Sequence, residues 1–126
     1  MRLARLVTVI GVTLALGACE WGPRGMGQLR GVVTSGATPV GAIVLEISGP
    51  GVQGFSETGQ TRLFFAEPSS DLYRVVLVAP DPDGIRFLVD VDDVRNPALT
   101  AVVVEAVDDN NVAITDLNGI TVELNR

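Results

Sequence analysis

From Leu29 onward, short runs of β-branched and other apolar residues recur about every ten residues, each closed by glycine, proline, asparagine or aspartate. That rhythm constrains the fold more than any other feature of the chain. Side chains on a strand alternate between two faces, so a run alternating apolar with polar buries one face and wets the other. Ile85 to Val91 is the cleanest case: Ile85, Phe87, Val89 and Val91 share one face, and Arg86, Leu88 and Asp90 share the other. Gly41 to Ser48 behaves alike, with Ile43, Leu45 and Ile47 opposite Val44, Glu46 and Ser48. Leu29 to Ser35, Leu72 to Ala79, Val112 to Thr115 and Ile120 to Leu124 are further expected strands, the last with Ile120, Val122 and Leu124 inward. Val52 to Ser56 and Thr61 to Ala66 read as a short pair around Thr58-Gly59. Thr100 to Val107 carries valines on both faces, which predicts a central strand.

The breaks between these runs use residues that turn the chain for backbone reasons: Gly36 to Pro39, Gly49-Pro50-Gly51, Pro80 to Gly84, Asn96-Pro97, Asn110-Asn111 and Asn118-Gly119. About nine strands, with no helical periodicity between them, predict an all-β chain folded as a single antiparallel β-sandwich. The connections are too short for the helical crossovers that a parallel sheet needs.

The N-terminal segment has a different character. Arg2 and Arg5 flank an apolar run, Leu6 to Leu16, that is too short to span a bilayer as a mature helix. Leu16-Gly17-Ala18-Cys19 then sets two small residues before the single cysteine of the chain. In order and spacing, residues 1 to 19 resemble a bacterial lipoprotein signal peptide, with its lipobox and signal helix. The resemblance implies cleavage between Ala18 and Cys19 and a diacylglyceryl thioether on Cys19, usually with an acyl chain on the freed amine. Two chains anchor stably where one binds only marginally. Glu20 stands where an aspartate commonly retains such proteins in the inner membrane, so the outer membrane is implied if the cell is Gram-negative. The expected organisation is therefore a signal peptide over 1–18, a lipidated cysteine and tether over 19–27, and a sandwich over 28–126. The glycine-rich tether, Glu20 to Gly27, reaches roughly 15 Å, and Trp21 within it reads as an interfacial anchor.

Composition narrows the chemistry. All nine basic residues are arginines, against fifteen acidic residues; without residues 1–18 the net charge is −8. Such a surface repels nucleic acid and anionic headgroups, so nucleic acid is not an expected partner. The sequence has no histidine, no lysine and no cysteine besides Cys19. Ser-His-Asp and Cys-His catalysis, Schiff bases, disulfides and Cys/His metal centres are therefore excluded, and no cofactor is expected.

The order of features is similar to cohesin-like domains, the nine-stranded jelly-roll sandwiches of bacterial extracellular proteins. Gly41 to Phe55 resembles the strand and turn of that family. Tyr73 to Val78 and Gly84 to Val91 look like its paired central strands, and Asp108 to Leu124 looks like its final hairpin. The resemblance implies the fold and makes protein–protein or carbohydrate contact plausible; it does not imply dockerin binding.

Acidic residues gather at the turns. Calcium takes several carboxylate and carbonyl oxygens, which makes Asp81, Asp83 and Asp116 the metal candidates. Asp81-Pro82-Asp83-Gly84 and Asp116-Leu117-Asn118-Gly119 echo part of an EF-hand loop. Neither completes one: with Gly84 as the loop glycine the first ligand position falls on Ala79, and with Gly119 it falls on Ile114 and the twelfth on Asn125. Turn formation accounts for the same residues, and the turn reading is preferred. A hydrolytic carboxylate pair would be Asp90 with Asp92 or Asp93, and Asp90 and Asp92 would share one strand face at an allowed spacing of roughly 6.6 Å. Any solvated strand produces it. Of the aromatics, Phe87 belongs to the core, while Phe64 and Phe65 are adjacent and must point to opposite faces. One can be exposed or can cover the end of the sandwich.

The sequence thus describes a lipid-anchored cell-envelope protein. Its sandwich is a non-catalytic binding or structural module, held to the membrane through Cys19 and contacting an envelope protein or carbohydrate. The alternative is an accessory subunit of a larger envelope assembly. That reading requires an apolar outer face and turns on the exposure of Val102 and Val104. A carboxylate-based hydrolase ranks third.

Overall fold

A computed structural model of the chain describes residues 25–78, 84–95 and 98–126. The expected signal peptide, the expected lipidation site at Cys19 and most of the expected tether lie outside the described residues, as do the calcium candidates Asp81 and Asp83. Eight strands follow one another: β1 (Gly27–Ser35), β2 (Val40–Ser48), β3 (Val52–Glu57), β4 (Arg62–Ser69), β5 (Leu72–Val78), β6 (Ile85–Val91), β7 (Thr100–Asp108) and β8 (Ile120–Asn125). They form two four-stranded sheets, a first of order β3-β6-β1-β8 and a second of order β4-β5-β2-β7. Every pairing is antiparallel.

The pairing is nested. The first strand pairs the last, β2 pairs β7, β3 pairs β6 and β4 pairs β5, as in one long hairpin folded over. Contacts of β1 with β6 and of β2 with β5 then join these pairs into the two sheets. Within this scheme only β4 and β5 are both consecutive and paired; Asp71, at φ 58°, makes the turn between them.

Two expectations about pairing are corrected here. Val52 to Ser56 and Thr61 to Ala66 do not pair: β3 lies in the first sheet and β4 in the second. Both runs need their apolar residues inward, and two strands that face each other across the core satisfy this as well as a hairpin does. The link Thr58 to Thr61 steps across the ~10 Å between sheets, with Gly59 at φ 61° and Thr61 buried. The Leu63 amide donates to Glu57 Oε1 at 3.0 Å and ties the crossing. The second correction concerns Thr100 to Val107, which is not central: β7 is the edge of the second sheet. Its register against β2 runs Val44↔Glu105 and then Leu45↔Val103, so Val104 is an extra residue, a β-bulge. The bulge reverses the alternation, and this is why valines fall on both sides of an edge strand.

The segments likened to paired central strands, within β5 and β6, are each central but in different sheets, and β7 and β8 likewise do not pair. Val112 to Thr115 contributes a single bridge, Val107↔Ala113, rather than a ninth strand. The chain then makes one 3-10 turn, Leu117–Gly119, before β8.

The core fills the space between the sheets. Leu29, Ile43, Leu45, Ile47, Val75, Leu77, Ile85, Phe87 and Val89 are fully buried, and they come from β1, β2, β5 and β6, the four inner strands. The inward alternation expected of β2 and β6 is observed.

Candidate functional site

With the inner residues assigned to the core, the outer face of each sheet follows from register, because residues opposite one another on antiparallel strands point the same way. On the first sheet the outward residues include Gln28, Arg30, Thr34, Arg86, Asp90, Thr121, Glu123 and Asn125, around half-buried Val32 and Leu88, so the exposed surface is largely polar. Gln28 Nε2 donates to Asp90 Oδ1 at 2.7 Å and Ser56 Oγ to Asp90 Oδ2 at 3.5 Å, so polar side chains there bond to one another across strands.

The second sheet is different. Its outward residues line up in cross-strand rows: Arg62, Val78, Ala42 and Val107, then Phe64, Val76, Val44 and Glu105, then Ala66, Arg74, Glu46 and Val102. Phe64 is 60% exposed, Val102 53% and Val78 39%. Val44, Val76 and Val107 between them are half-buried by their neighbours and floor a shallow hollow. The charges sit around this apolar centre. Arg74 Nη2 donates to Glu46 Oε1 at 2.7 Å in the third row, while Arg62 and Glu105 occupy the two edge strands. A contiguous apolar patch of this kind on a strongly acidic chain marks a contact surface. Val104, at the bulge, is half-buried; Val102 carries the exposure.

The adjacent phenylalanines divide as their strand geometry requires. Phe64 faces outward on the second sheet. Phe65 turns to the open end of the sandwich, its ring 5.0 Å from that of Phe55, which lies 5.4 Å from the Tyr73 ring. The Tyr73 hydroxyl donates to the Val52 carbonyl oxygen at 3.4 Å, and burial, followed by the charges of Glu67 and Asp71, pushes its pKa up. Phe65 therefore lies over the end of the core with half of its surface still exposed, and Phe64 points outward from the second sheet.

The aspartates act locally. Asp116 Oδ1 accepts the Asn118 amide at 3.1 Å and caps the 3-10 turn. Asp108 Oδ1 accepts the amides of Asn110 and Val112, each at 2.9 Å, and Asn111 takes the left-handed conformation at φ 63°. Asp93 Oδ1 accepts the Arg95 amide at 2.9 Å, and this bond more than any other holds its carboxyl below the usual aspartate value. Asp92 lies beyond the end of β6 against Gly51, and its amide donates to the Gly51 carbonyl oxygen at 2.9 Å. Among the described residues no three His, Cys, Asp or Glu side chains gather to hold a metal.

One open cavity of about 400 Å³ lies at the end of the sandwich, lined by Ser35, Thr38, Thr115, Asp108 and Asp116 among others. It brings together two aspartates of the acidic turns, but not Asp90, Asp92 or Asp93. Asp116 is exposed and Asp108 half-buried, each with Oδ1 bonded to backbone amides. The geometry fits turn formation.

No family model matches the chain, and no curated protein or solved structure matches it. Fold and surface together define an all-β protein of two four-stranded antiparallel sheets, one with a largely polar outer face and one whose outer face exposes apolar side chains among four charged ones.

Proposed function

We propose that this chain is a lipid-anchored protein of the bacterial cell envelope whose sandwich is a non-catalytic structural subunit, joined to protein through the outer face of β4-β5-β2-β7. The observation that carries this reading is the exposure of Phe64, Val78 and Val102 on one sheet while the other sheet is polar. Exposed apolar surface of this kind marks an interaction site, and assembly buries it. Between the two roles drawn from the sequence, the exposure of Val102 favours the subunit of a larger assembly.

The lipobox at Leu16 to Cys19 supports the anchor, with cleavage after Ala18 and lipid on Cys19. Glu20 supports the outer membrane in a Gram-negative cell. The nested strand pairing supports a jelly-roll reading of the sandwich, of the cohesin-like kind. The acidic charge disfavours nucleic acid as a partner.

Two measurements test the proposal. Cys19→Ala should release the protein from membranes, and continued sedimentation with them would remove the anchor. A photo-crosslinking residue at position 64 should give covalent protein adducts in intact cells, while one at position 121, on the polar face, should not. Absence of adducts from position 64 would remove the contact surface.

A further inference from the structure

We propose that the occupant of this face is a second copy of the chain, packed sheet against sheet about a two-fold axis that runs along the strands between β5 and β2. The inference rests on reading the face as a contact surface, and the charge pattern selects the partner. A two-fold axis in that position lays β5 of one copy over β2 of the other and β4 over β7, and keeps each cross-strand row at its own level. Arg74 of each copy then meets Glu46 of the other, so the two pairs form an alternating square of charges. Phe64 on one edge strand comes over Glu105 on the opposite edge of the other copy, and Arg62, one row away, is the cation nearest that carboxylate. The exposed Val102 comes over the small Ala66 of the same row.

The four charges cancel, so this is a neutral face on a chain of net charge −6. Two copies that repel elsewhere can approach here. A lipid surface fits worse, because it would strip water from the Arg74–Glu46 pair and return nothing to it. Four strands at ~4.8 Å and three rows about 6.8 Å apart give a patch of roughly 400 Å² per copy. The total of about 800 Å² is in the range of weak, transient contacts and suits a reversible dimer. Aligned packing of sheets is an ordinary arrangement for antiparallel faces.

Sedimentation equilibrium of the full chain in density-matched non-ionic detergent tests this. The expected result is a monomer–dimer equilibrium. Phe64→Glu and Arg74→Glu should each weaken the dimer at least ~tenfold, Arg74→Glu by breaking the square of charges beside the axis and Phe64→Glu by setting a second carboxylate over Glu105 of the other copy. The double variant Arg74→Glu/Glu46→Arg, which reverses the square without breaking it, should recover most of the loss. Thr121→Glu, on the other sheet, should change nothing. Circular dichroism of each variant confirms folding. A monomer at all concentrations, or a dimer indifferent to Phe64→Glu and Arg74→Glu, would overturn the proposal. Adducts from position 64 in cells alongside a monomer in solution would leave the contact surface standing with a different protein on it. Their absence would remove both.

Discussion

The ring of Phe87 occupies the space where a side chain on Gly31 would stand. The two residues are paired across β1 and β6, both point into the core, and a Cβ built on Gly31 would overlap the Phe87 ring atoms. Phe87 is fully buried at the centre of the first sheet, so the ring has nowhere to move. A glycine in a strand interior weakens the strand by itself; here it makes room for the largest buried side chain. Gly31→Ala should therefore destabilise the fold by about 1–3 kcal/mol, the range for overpacking a filled core. Phe87→Ala should destabilise by about 3–5 kcal/mol through the cavity it leaves. In the double variant Gly31→Ala/Phe87→Ala the two changes should partly cancel. Urea unfolding midpoints for the three variants measure this, and strict additivity would show that the contact is not what requires glycine.

The acidic turns yield a second expectation. Asp108 holds the amides of Asn110 and Val112 with one oxygen, and Asp116 caps the turn that leads into β8. Asp108→Ala should lower stability by about 1 kcal/mol, seen as a fall of roughly 4–8 °C in thermal midpoint for a domain of this size. Asp108→Asn, which keeps an acceptor oxygen, should lose much less. The loss in Asp116→Ala should be the same with added calcium as with a chelator. A calcium-dependent difference would restore Asp116 as a metal ligand.

How much of this could be read from the residues depends on the distance over which each feature is encoded. The inward sets of β2 and β6 are local facts: alternation within seven to nine residues decides them, and Ile43, Leu45, Ile47, Phe87 and Val89 are all where alternation puts them. Pairing is not local. Val52 to Ser56 and Thr61 to Ala66 have the composition of a hairpin, and only the competition of β5 and β6 for the same edges assigns them to different sheets. The edge position of β7 was hidden by one residue, Val104, whose bulge reverses the alternation and imitates a doubly buried strand. The contact surface lay further out of reach, because Phe64, Val78, Ala42 and Val102 come from four separate runs and become neighbours only through register. The valines of Thr100 to Val107 were its one visible trace.

Asp93 offers a test of what sets a surface carboxyl. The Arg95 backbone amide is the main cause of its lowered pKa, ahead of the Arg95 side-chain bond at 3.4 Å and the guanidinium charge. Arg95→Ala keeps the amide and removes the rest, so the Asp93 resonance should still titrate below the ordinary value of about 3.9. Because the folded value is the lower one, the ionised form favours the fold. That contribution is present above the unfolded pKa and is lost as pH falls through the folded value. Carbon-detected NMR titration follows the residue directly. An ordinary midpoint in the variant would assign the effect to the guanidinium instead.

Tyr73 gives the corresponding test at the alkaline end. It is the single tyrosine of the chain, so phenolate absorbance reports it alone. Burial is the chief cause of its raised pKa, with Glu67 and Asp71 adding repulsion against a negative phenolate. The folded protein should titrate above about 10, and the urea-unfolded protein at about 10. Here the folded value is the higher one, so the neutral form favours the fold. The stability it contributes is complete below the unfolded pKa and is lost as pH rises through the folded value. Tyr73→Phe should remove this alkaline loss. At neutral pH it should change stability by less than about 1 kcal/mol, because the bond to Val52 is long at 3.4 Å and weak at that length. A midpoint no higher in the folded protein than in urea would mean that the hydroxyl is open to water. The Phe55–Phe65–Tyr73 cluster would then not close that end of the sandwich.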